Sequence, residues 1–213
     1  MSNKKIVIVF CKHPEPGMVK SRLAADLGDE RAANIYKTLL NNTILNITQN
    51  KQNINSEIFL YCYPNIHHPM LSELATNYSL EVRKQSAGTL GDKMHHAINT
   101  YISDENHVVL IGSDCLMINK HYIENAFNAL ASGNDIVLGP SRDGGYALIG
   151  AKRIDTSIFE NVRWSTNQVL KQTTFKLQKL GWKYSCLSEV RDIDHLDDYQ
   201  YFSSHPHYRD VFN

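Results

Sequence analysis

The chain has 213 residues, 42% of them hydrophobic and 21% charged, with Lys+Arg and Asp+Glu both at 22. That is enough chain for one globular unit with a sizeable core. The formal net charge of zero speaks against a dedicated nucleic-acid binder, which carries a basic excess, but not against one small anion in a local basic pocket.

The opening MSNKKIVIVF has two lysines and then six apolar residues through Cys11, too few for a signal peptide, and no run approaches the roughly 20 apolar residues of a membrane span. Residues 5–10 form a short apolar run, the pattern of a buried strand. Residues 30–49 place Ala32, Tyr36, Leu39, Leu40, Thr43, Ile44 and Ile47 on one helical face. Strand 57–63 ends at Pro64. Helix 69–78, short strand 80–84, helix 92–102 and strand 107–112 follow. Helix 120–131 has Asn119 as its N-cap. Strands 135–139 and 146–151 are separated only by SRDGG and its flanks, too little chain for a crossover, so this pair is expected to be antiparallel. Helix 165–180 carries a capping box of Ser165 and Gln168, with Gly181 beyond its last turn. Strand 182–187 and a short C-terminal helix complete the pattern.

Strands alternating with helices predict an α/β fold, a single three-layer α/β/α domain over residues 1–213 with a mostly parallel, mixed sheet. Ligands of such sheets bind beyond the C-terminal ends of the strands. The four cysteines, Cys11, Cys62, Cys115 and Cys186, lie far apart without a C-x-x-C pair, and read as buried free thiols in a reducing cytoplasm.

The segments after the strands carry the chemistry. After the first comes CKHPEPGMVKSRL, a turn-rich loop (Pro14, Pro16, Gly17) ringed by Lys12, Lys20 and Arg22, either a phosphate cradle or a solvated basic loop. It is neither a Walker P-loop nor a G-x-G-x-x-G turn. After the third comes SAGTLGD, where Gly88 and Gly91 bracket Thr89 and Leu90 before a helix whose start offers N–H groups to an anion. After the fourth, Ser113 and Asp114 stand at the strand tip. In the turn after the fifth, Asp143 serves as a local acceptor or faces the site, and Tyr146 is a candidate ligand contact. After the last come Asp192 and Asp194, which an extended backbone points to opposite faces, so one of them is expected to face the site. Acids and bases converging on one rim suit a metal–phosphate site. The ten histidines lack helical zinc spacing.

The stretches FCKHPEPGMVKSRL, GTLGDKM, LIGSDC, GPSRDGGYALIG, RWST and DIDHLDDY, in this order, resemble a bacterial glycosyltransferase-like family (a domain of unknown function) of the nucleotide-diphospho-sugar transferase superfamily, the GT-A fold. More distantly they are similar to phospholactate guanylyltransferase and molybdenum-cofactor guanylyltransferase. The resemblance implies a divalent ion, Mg²⁺ or Mn²⁺, on Asp114, with Asp194 as the second acid. It implies nucleotide contacts from Pro16, Gly17, Lys20, Arg22, Gly88, Thr89, Leu90, Gly91 and Ser113. An acceptor pocket is then expected at Gly144, Gly145, Tyr146 and Trp164, although Trp164, like Trp182, suits core packing better than stacking on a base. Lys20 and Arg22 would offset charge on the leaving group, with Asp143 as candidate base. The donor is a nucleotide-sugar, or a nucleoside triphosphate if the reaction is nucleotidylyl transfer, and the acceptor a small molecule; a third reading is a nucleotide-binding module without turnover. Leu116, Ser21 and Ala147 depart from the family pattern, which has Pro, Thr and an aromatic residue there.

Overall fold

The computed structural model describes residues 4–48 and 56–212. One seven-stranded sheet runs in the order β3-β2-β1-β4-β6-β5-β7. Its strands are β1 (Lys4–Lys12), β2 (Ser56–Tyr63), β3 (Glu81–Lys84), β4 (Asn106–Gly112), β5 (Ile136–Pro140), β6 (Tyr146–Ala151) and β7 (Tyr184–Cys186). All neighbours pair in parallel except β6, which runs antiparallel to both β4 and β5. The short β5–β6 connection permits only that reversal.

Seven helices cover the sheet among the described residues: α1 (Ser21–Leu27), α2 (Asp29–Thr48), α3 (Pro69–Tyr78), α4 (Leu90–Asn99), α5 (Lys120–Ala131), α6 (Val169–Lys179) and α7 (Leu196–Ser204). The period-2 alternation of β1 divides the core. Val7, Val9 and Cys11 pack with Leu40 and Ile44 of α2, Leu71 of α3 and Phe127 of α5. Ile6 and Ile8 point the other way, against Met94 and Ile98 of α4 and Leu177 of α6. Each such buried aliphatic side chain contributes about 1.5–3 kcal/mol, and the two faces together make the three expected layers. No helix of the described residues is long and apolar enough to cross a membrane.

Three local expectations are corrected. Residues 21–23, read as the tail of a loop, belong to helix α1. Helix α6 begins at Val169, because Ser165 is left-handed (φ 61°) and Gln168 at the N-cap makes no side-chain capping bond, so the Ser165–Gln168 box does not exist. Cys186 is exposed, while Cys11, Cys62 and Cys115 are buried free thiols. The Asn119 cap is present, accepting from Tyr122 N at 3.1 Å. The expected last residue of the second helix, Gln49, lies outside the described residues.

Candidate active site

Three segments meet beyond the C-terminal end of the sheet. Strands β1 and β4 are neighbours, paired at Phe10 and Gly112, so the residues after them emerge side by side. The chain after β7 returns across the same rim: Val190 N bonds to Pro140 O, and Ile193 N donates to Asp114 O at 3.3 Å. Ile193 is fully buried with Leu23, Leu116 and Phe202. That apolar anchor fixes where the flanking acids stand, and it gives Leu116 a packing role in place of a rigid turn residue.

Lys20 joins these segments. Its ammonium donates to Asp114 Oδ2 at 2.7 Å and to Asp194 Oδ1 at 2.8 Å, while Arg22 reaches Asp194 Oδ2 at 3.3 Å. The Lys20 side chain is 4% exposed, the two carboxylates 32% and 33%, and Arg22 45%. Lys20 is also the N-cap of α1 with a left-handed backbone (φ 52°, ψ 43°), a conformation that costs a side-chain-bearing residue about 1–3 kcal/mol and concentrates at functional sites. Beside it the Tyr36 hydroxyl of α2 accepts from Lys12 N at 2.9 Å and shares a hydrogen bond with Ser113 Oγ at 2.8 Å. These groups border an open cleft of about 490 Å³ whose walls include Phe10, Lys12, Gln85, Leu90 and Ser165.

The electrostatics are those of crowded acids. Burial alone would lower the Lys20 ammonium, but Asp114 and Asp194 outweigh it and push its pKa up. Burial would raise Asp194; Lys20 and Arg22 reverse that and hold it below the ordinary carboxylate range. Asp192 has no such partner. Burial, then Asp114, Asp194 and Asp143, push it up to about 7, with Lys20 offsetting only part. Asp192 thus sits in the field of three other carboxylates, two of which are paired with Lys20 or Arg22. Among the described residues no group of three or more His, Cys, Asp or Glu side chains is arranged to hold an ion. The donor set is instead two carboxylates, a third exposed each, at an open rim, and this fits Mg²⁺ or Mn²⁺, which takes one or two carboxylates and fills its shell with phosphate oxygens and water.

Of the residues singled out in the sequence, Lys12, Lys20, Arg22, Ser113, Asp114, Asp194 and Leu90 line this cleft. Lys20 does so with its ammonium already paired to both acids. Pro16 and Gly17 are exposed and lie outside the lining. Gly88, Thr89 and Gly91 also lie outside it. Thr89 and Asp92 form the capping box of α4, with Thr89 N donating to Asp92 Oδ2 at 2.8 Å and Asp92 N to Thr89 Oγ1 at 3.2 Å, which consumes N–H groups expected to face an anion. A Cβ on Gly91 would stand 2.7 Å from Phe159 Cβ, so this glycine permits close packing of the helix.

The residues of the expected acceptor pocket do not line this cleft. Tyr146 and Trp164 pack into the core layer beneath α4 and α6, Gly144 serves a turn at φ 86° against Asn167, and Gly145 is buried beside it. Asp143 takes the turn role: its Oδ1 accepts from Ser141 Oγ and from Gly145 N at 3.0 Å. Sequence reasoning passed over Tyr36, Gln85 and the part of Asp192. Tyr36 is hidden in a helical stripe that looks like core. The alternation argument holds for the cleft, which Asp194 lines and Asp192 does not, but with Ile193 buried between them Asp192 still stands within the field of Asp114.

The family described as uncharacterized protein conserved in bacteria (DUF2064) matches residues 46–166. No curated protein matches the chain. A structure from Desulfovibrio desulfuricans G20, provisionally assigned as a nucleotide-diphospho-sugar transferase, is similar with TM-score 0.83 and 26% identity, over 98% of this chain and 91% of that one. A nucleotidyl transferase from Methanothermobacter thermautotroptrophicus is similar with TM-score 0.61 and 11% identity over 99% of both chains. The 4-diphosphocytidyl-2C-methyl-D-erythritol synthase of Anaerococcus prevotii follows at 0.56 and 10%, over 93% of this chain and 94% of that one. The last two likenesses show the shared fold alone.

Proposed function

Since the chain belongs to the DUF2064 family of proteins conserved in bacteria and has the nucleotide-diphospho-sugar transferase fold, we propose that it is a transferase that grips a nucleotide by its phosphates in the cleft around Lys20, Asp114 and Asp194. The donor is a nucleotide-sugar and the acceptor a small molecule. The observation that carries this is the convergence of Asp114 and Asp194, from two separate post-strand segments, on one buried lysine from the N-terminal loop at the ligand-binding rim of the sheet. Asp114 and Asp194 would hold a divalent ion. When bound, such an ion acts as a Lewis acid at phosphate oxygens.

The chain's own residues do the rest. Lys20 holds the two carboxylates in place and offsets their mutual repulsion. Arg22 keeps part of its fork open to the cleft, where it suits phosphate oxygens. The Tyr36 and Ser113 hydroxyls fix the strand tip that carries Asp114. Phe10 and the 47%-exposed Leu90 offer the cleft an apolar wall. The buried free thiols suit a reducing compartment, in line with a cytoplasmic enzyme.

Nucleotidylyl transfer is the second reading: a phosphorylated acceptor attacks the α-phosphate of a nucleoside triphosphate and pyrophosphate leaves. It is favoured by the two cations, Lys12 and Arg22, that the cleft keeps for a longer phosphate chain. Incubation with Mg²⁺ or Mn²⁺ and separated donors decides. Release of nucleoside diphosphate from a nucleotide-sugar is expected under the first reading; pyrophosphate release from a triphosphate would replace it with the second. Nucleotide binding that ignores both metal and acceptor would leave a binding module.

A further inference from the structure

Cations near a carboxylate cluster are not equally free to meet an anion. Lys20 is buried, and two of its three N–H donors go to Asp114 and Asp194. Arg22 shares its charge with Asp194. Lys12 is different. It is the last residue of β1, exposed, and part of the cleft wall, and its ammonium has no hydrogen bond, ion pair or ring partner among the described residues.

Its backbone is nonetheless fixed. Lys12 N donates to the buried Tyr36 hydroxyl, which is tied to Ser113, the neighbour of Asp114. Lys12 and Asp114 each stand two residues beyond the paired Phe10 and Gly112 on adjacent strands. A flexible cation on a fixed root, next to the acids, is what recognition of a charged chain needs, since only the side chain must order on binding.

We propose that Lys12, rather than Lys20, is the side chain that meets the substrate's phosphates, and that Lys20 is an internal counter-ion positioning the acids. This rests on the reading of the cleft as a phosphate site. The tested probe is inorganic tripolyphosphate, which has phosphates but no base or sugar, titrated calorimetrically in magnesium buffer. Lys12→Met should weaken its binding by about tenfold or more, the worth of one charge-assisted hydrogen bond, with the melting midpoint unchanged; Lys12→Arg should recover most of the loss. Lys84→Met removes the same charge from the same rim but outside the cleft, and should leave binding close to wild type. Equal losses for Lys12→Met and Lys84→Met, or none for Lys12→Met, overturn the assignment while wild-type binding preserves the phosphate-site reading. A wild-type chain that takes up neither tripolyphosphate nor nucleotides would overturn both.

Discussion

Lys20 shows how much can rest on one side chain. Its ammonium is almost inaccessible, its backbone is strained, and two carboxylates depend on it. Removing one member of a buried ion cluster leaves uncompensated charge, at about 3–5 kcal/mol when burial is complete. Here the acids keep a third of their exposure, so Lys20→Met should cost about 2 kcal/mol. For a chain of this size that lowers the melting midpoint by roughly 4–8 °C. Calorimetric scans with added Mn²⁺ should return much of the loss, and should move the variant further than the wild type, because the ion then replaces the missing cation. A variant as stable as the wild type, indifferent to Mn²⁺, would show that the lysine does not hold the acids.

At the scale of elements, α4 shows a helix start closing its own donors. Asp92 accepts from Thr89 Oγ1 and Thr89 N, and these bonds hold its carboxyl below the ordinary range. A depressed carboxyl stabilises the fold above its unfolded value of about 4 and stops doing so as pH falls through the folded value. Asp92→Asn should therefore melt below wild type at neutral pH, and the two melting curves should converge in acid; a gap that persists in acid would assign the difference to packing. Elements were largely legible in the sequence because periodicity reports burial: α3, α5 and β6 stand where the pattern put them. Helix α1 was not, since the Pro14–Gly17 turn masks a helix of seven residues whose only fully buried side chain is Leu23. The Ser165–Gln168 box misled because its residue types match a cap while the helix begins only at Val169, with Gln168 rather than Ser165 at the N-cap. Of the candidate site, the acids and bases were legible from their place after strands. Tyr146 and Trp164 were not, because residue type alone does not tell a ligand-facing aromatic from one facing the core.

For the whole molecule, binding to the native state is readable as stability. A nucleotide present at about 100 times its Kd adds about 2.7 kcal/mol, which should raise the melting midpoint by roughly 5–10 °C. The shift should appear with nucleotide plus Mg²⁺ or Mn²⁺ and shrink when a chelator removes the ion. A screen of nucleotides and nucleotide-sugars that moves nothing would remove the nucleotide reading. The same measurement ranks bases and sugars, which the cleft geometry does not name.

The cluster is also a clock. Lys20 and Asp194 are 174 positions apart, so the cleft closes on its second acid only when the segment carrying Ile193 has docked. The β5–β6 hairpin can form as soon as it is made, because its partners are local. Until the late segment arrives, Lys20 faces Asp114 alone. The second acid of the cleft thus depends on a contact of very long sequence separation, whose loop-closure cost must be met before it forms.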